Sequence, residues 1–240
     1  MPIETPRKLI EEFYSQQKEL SAGAREIDEA TICKRGAVQW AQFDEHESSF
    51  AGKFKGLIFP SRDFREYFVQ QFPDKMGKMV GLEIGGYGYN FFSDLNGVFK
   101  RSAAICLTKG YKPAREAKGK LDSHFVIEGD VMSPRTFAKP LRKFLKGEKI
   151  DFAIERMSGG LNYIVNDPRI LYHRLRFWYR MMAPDGQMFF ELPRNLYVGT
   201  EELKFLTQLL PEDALQMKGN TIKITRASNL KELPALWESK

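Results

Sequence analysis

The stretch Met79-Val80-Gly81-Leu82-Glu83-Ile84-Gly85-Gly86-Tyr87-Gly88-Tyr89-Asn90 constrains the fold more than any other part of this sequence. Its apolar half reads as a buried strand that breaks at the closely spaced Gly85, Gly86 and Gly88. An amphipathic segment from Phe91 to Phe99 follows. A strand, a glycine turn and a helix N-terminus together let backbone approach a ligand closely. In open α/β sheets such a crevice lies at the carboxyl ends of the strands.

The chain downstream repeats the alternation. Strands are expected at 103–107, 124–128, 150–154 and 187–192. Between them lie helical segments opened by Ser133-Pro134 and Asp167-Pro168, each a cap followed by a first-turn proline. Inner faces are expected to carry Phe137, Leu141, Phe144 and Leu145 in the first, and Leu171, Leu175, Trp178 and Met182 in the second. Such alternation builds an α/β sheet of mostly parallel strands. Ala214–Met217 and Thr221–Thr225, around Lys218-Gly219-Asn220, form an antiparallel C-terminal hairpin.

Upstream of Pro73 the pattern is different. Arg7–Leu20 and a segment from Ser61 to Phe72 read as helices, Ala37–Phe43 as a strand, and the polar run Asp44–Lys55 as a loop. This divides the chain into a mainly helical N-terminal extension or lid, residues 1–76, and a domain of residues 77–240.

Composition narrows the classes further. No apolar run in the 240 residues approaches the ~20 needed to span a bilayer. Cys33 and Cys106 stand far apart without histidine nearby, which excludes a disulfide framework or zinc site as the organising device. A reduced, cytoplasmic protein without membrane partner or metal is the expectation. A net charge of +6 and a pI near 9.2 admit nucleic acid as a partner without establishing it. Lys139, Arg142, Lys143 and Lys146 fall on one helical face, an arrangement usually only solvated.

Taken together, residues 77–226 resemble the class I S-adenosylmethionine-dependent methyltransferases, a Rossmann-like fold. The resemblance is carried by the glycine stretch, by Gly129-Asp130-Val131 after the third strand, by Asp151–Glu155, by Trp178–Met188 and by the hairpin. It implies S-adenosylmethionine as cofactor and methyl transfer to an acceptor, nucleic acid or small molecule. In that frame Glu83, Gly85, Gly86 and Gly88 face the cofactor's amino-acid end, and Thr108 its ribose. Asp130 and Val131 lie at the adenine. Glu155 takes the acceptor's proton, and Arg156 holds an anionic substrate.

Two departures stand out. The family's Gly-x-Gly-x-Gly would place glycine at 85, 87 and 89, where this chain has Tyr87 and Tyr89 at the last two. The acid usual at the second strand's end is replaced by Cys106-Leu107-Thr108. A catalytically inactive binding module on the same fold is therefore the alternative function. Glu155 and Arg156 can also be read as a mutually neutralising pair, and Glu83 as a strand-end acid beside lysine.

Overall fold

The structure, a computed structural model, describes residues 44–106, 121, 123–129, 134–155, 168–191, 208 and 210–233, with backbone alone at 168–174. Helices α1 (Glu47–Lys53), α2 (Lys55–Ile58) and α3 (Phe64–Gln71) lead through a 3-10 turn at Pro73–Lys75 into strand β1 (Met79–Ile84). There follow α4 (Tyr89–Asp94), β2 (Phe99–Cys106), β3 (His124–Glu128), α5 (Pro134–Leu145) and β4 (Ile150–Glu155). Helix α6 (Pro168–Met181), β5 (Met182–Glu191), β6 (Leu215–Lys218) and β7 (Thr221–Thr225) complete the described elements.

The strands form one seven-stranded sheet in the order β3-β2-β1-β4-β5-β7-β6. All pairings from β3 to β5 are parallel; β7 runs antiparallel between β5 and β6. The α/β reading and the inverted terminal hairpin are borne out. β1 is buried along its whole length, as a central strand covered on both faces must be.

Alternation along β1 sends Val80, Leu82 and Ile84 to one side, where they join Phe137, Leu141 and Leu145 of α5 and Leu175 and Trp178 of α6. Met79 goes to the other side, into a core of phenylalanines from α1, α3, α4 and the α1–α2 junction, joined by Leu57 and Ile58 of α2. There Phe64 meets Phe54, Phe91, Phe152 and Phe189 at centroid distances of 6.4, 5.9, 5.6 and 5.3 Å, all edge-on. Tyr67 donates its hydroxyl to Gln187 Oε1 (2.6 Å) and accepts from Lys223 Nζ (3.3 Å), whose amine burial holds below its ordinary pKa.

Several local expectations needed correction. The run Asp44–Lys55 contains helix α1 instead of a loop, because Phe50 and Phe54, one turn apart, dock on the aromatic core. The cap of α3 is Asp63, not Ser61; its carboxylate accepts the Glu66 N–H at 2.7 Å. β2 begins at Phe99, ahead of its uninterrupted apolar run. Met182 opens β5 instead of closing α6, and the Pro184-Asp185-Gly186 turn is absorbed as an irregularity of that strand, with Asp185 at φ 61°.

Arg101 fixes the far end of α5. Its guanidinium donates to the carbonyls of Phe144 (2.8 Å) and Leu145 (2.5 Å) and pairs with Glu148 (2.6 Å). This satisfies orphan carbonyls at the helix C-terminus and places a cation on the negative end of its dipole.

Candidate active site

The site is built at the carboxyl rim of the sheet. Gly85 still donates its N–H to Ile105 O (2.8 Å), so the ladder holds to the last residue before the turn. Gly85 then takes φ 90° and Gly88 φ 73°, conformations that favour glycine. A Cβ on Gly88 would lie 3.0 Å from the His124 ring and 3.1 Å from that of Phe92. Gly88 thus lets the chain turn tightly into α4.

His124 anchors this turn from beneath. Its Nε2 lies 2.7 Å from Tyr87 O and its Nδ1 2.7 Å from Ser102 Oγ. A carbonyl can only accept, so the proton sits on Nε2, and Nδ1 accepts from the serine hydroxyl. The ring packs on Tyr89 (4.9 Å) and Phe92 (5.5 Å). Burial lowers its pKa to about 4, despite the opposing bond to Tyr87. Nothing in the spacing of this residue foretold a bond to a residue 37 positions upstream.

A folded-state pKa below the ordinary 6.5 means that the unfolded chain binds the proton more readily. The stabilisation is complete above pH 6.5 and is lost as pH falls towards 4, a depression worth on the order of 3 kcal/mol. The melting temperature is expected to drop across that window, and His124→Gln to flatten the drop. Parallel curves for both proteins would contradict the assignment.

Tyr87 is buried with Cys106, and Tyr89 and Val126 pack against them. Tyr87 of the turn and Cys106 at the end of β2 therefore pack against one another. The Cys106 thiol is directed at Ile127 O, 3.8 Å away. Asp44 enters from the N-terminal side: its carboxylate accepts Asn90 N–H (3.0 Å), and its carbonyl accepts from Asn90 Nδ2 (2.6 Å). Asp44 lay in the stretch read as a loop, so its place beside α4 was not foreseen.

Glu83 is wholly buried, in register with Ala104 on β2 and Ile154 on β4. Ile84 pairs with Glu155, also buried, so the glycine turn and the end of β4 are direct neighbours on the rim. Beside them a small gap, with room for about one water molecule, is lined by Ile84, Ala153, Glu155, Leu175, Trp178 and Phe190, among others. The buried Trp178 indole N–H has no acceptor among the described residues.

The structure thus brings Glu83, Gly85, Gly86 and Glu155 to adjoining strand ends, with Gly88 turned back over His124. Thr108, Asp130, Val131 and Arg156 lie outside the described residues. Among the described residues no cluster of metal-ligating side chains occurs, and no helix is long and apolar enough to cross a membrane.

Five parallel strands in the order 3-2-1-4-5, a final strand inserted antiparallel, and a glycine turn after the first strand complete the pattern. The chain has the class I methyltransferase fold. No family model and no curated protein matches its sequence. Solved methyltransferase structures do resemble it. The N-methyltransferase NodS from Bradyrhizobium japonicum is 15% identical, with a TM-score of 0.44 over 69% of this chain and 95% of its own. CalS10, an S-adenosylmethionine-bound amino pentose methyltransferase from Micromonospora echinaspora, is 11% identical, with a TM-score of 0.46 over 84% of this chain and 97% of its own. MycE, of the mycinamycin biosynthetic pathway, is 15% identical at a TM-score of 0.43 over 82% of this chain. The match spans about half (53%) of the MycE chain.

Proposed function

We propose that this protein is an S-adenosylmethionine-dependent methyltransferase. The observation that carries the reading is the adjacency of the glycine turn and Glu155, which pairs in the sheet with Ile84, the residue before Gly85. Gly85 at φ 90° suits close passage of a ligand over the backbone, and the Glu83 carboxylate lies one residue before the strand's end. These residues fit the amino-acid end of the cofactor. Among the CalS10, MycE and NodS structures above, CalS10 is described with that cofactor bound.

In this reading Glu83, Gly85, Gly86 and Gly88 hold and shape the amino-acid end, Thr108 the ribose, and Asp130 and Val131 the adenine. The cofactor, when bound, supplies an electrophilic methyl group on a sulfonium. The protein's share is positioning and exclusion of water. Glu155 accepts the proton that the acceptor's nucleophile releases, and Arg156 holds an anionic portion of the acceptor. Residues 1–76 serve as the N-terminal extension of a domain formed by residues 77–240. Acceptor candidates are nucleic acids and small molecules.

Transfer of labelled methyl from S-adenosylmethionine to RNA and to a panel of small amines and alcohols tests this. Wild-type protein is expected to label one of them, and Glu155→Gln to slow transfer by about 10²–10⁴-fold with cofactor affinity unchanged. Cofactor binding without transfer to any acceptor would favour the non-catalytic module.

A further inference from the structure

We infer that the outer face of α5 is a docking surface for the phosphate backbone of a nucleic-acid strand. Arg135, Lys139, Arg142, Lys143 and Lys146 are all exposed. At 3.6 residues per turn the four on α5 fall within an arc of about 100°, opposite the buried Phe137, Leu141 and Leu145, in a row ~12 Å long, and Lys146 follows directly after the helix. The helix carries no Asp or Glu, and none of the five forms an ion pair with a described residue. The acid that follows, Glu148, is already held by Lys100 and Arg101.

A face that meets only water is stabilised by alternating signs four residues apart. Here 135/139 and 139/143 are like-charged pairs at that spacing, and each is unfavourable. A row of phosphates would reverse the sign of that interaction, since each cation displaces a condensed counterion. The same face gives a bilayer nothing to bury. The exposed large apolar side chains among the described residues are Phe59, Val69 and Phe125, none of them on α5. Helix α5 follows β3 and so starts at the carboxyl rim. A strand lying along the stripe would run towards the candidate site, although docking does not depend on methyl transfer.

Fluorescence anisotropy of the full chain with labelled oligouridylate, without cofactor, tests the surface. Affinity is expected to fall with salt at a log–log slope of about −3, as four to five phosphate contacts to a single strand dictate. The variant K139E/R142E/K143E is expected to weaken binding at least tenfold, and K139Q/R142Q/K143Q to weaken it less. The control K55E/K218E/K231E has the same change in net charge and should bind nearly as wild type. Equal losses in the acidic variant and its control would overturn the proposal. So would absence of oligouridylate binding at 50 mM salt, or binding of phosphatidylserine vesicles in its place.

Discussion

Phe64→Ala is expected to destabilise the chain by about 3–5 kcal/mol. The side chain is wholly buried at the first turn of α3. Its ring meets rings from the α1–α2 junction, from α4 and from strands β4 and β5, through Phe54, Phe91, Phe152 and Phe189. Truncation would leave a cavity bounded by rings that are themselves fixed by other rings, such as Phe68 against Phe152 at 4.8 Å. Little collapse is available to refill it. Because that cavity borders both the N-terminal helices and the central strands, denaturation should remain a single transition, merely shifted. A loss below about 1 kcal/mol, or a separate early transition of the N-terminal helices, would contradict the shared core.

Gly85→Val is the variant expected to act most strongly on cofactor binding. At φ 90° a β-branched residue is strained by about 1–3 kcal/mol, and its side chain would crowd the turn beside Glu155. S-adenosylmethionine affinity is expected to fall by at least about 100-fold, roughly 2.7 kcal/mol. Stability should fall only by the strain. Calorimetry at a temperature where circular dichroism shows the variant folded separates the two effects. Unchanged affinity would remove the glycine turn from the site.

Elements with a strong period and clear punctuation were legible in the sequence. β3 and α5 lie where the alternation and Ser133-Pro134 place them, and the Gly-Asn turn joins β6 to β7 as expected. Helix α1 was not legible: its docking face consists of little more than Phe50 and Phe54, too few to mark a period in a polar run. The site divides in the same way. Adjacency of Gly85 and Glu155 follows from strand order, which alternation and family resemblance together imply. The bonds of His124 to Tyr87 and Ser102, and of Asp44 to Asn90, are tertiary meetings of residues 22 to 46 positions apart, for which a sequence carries no local signal. Tyr87 against Cys106 gives the unusual turn a physical reason, since the aromatic ring and the thiol form one packed pair.

The central claim is tested most directly by calorimetric titration of the full chain with S-adenosylmethionine and S-adenosylhomocysteine, with NADH as control. The account predicts one site per chain with micromolar affinity for the two sulfur compounds and no heat with NADH. Absence of binding up to millimolar S-adenosylmethionine would contradict it and leave the fold as a scaffold for another ligand.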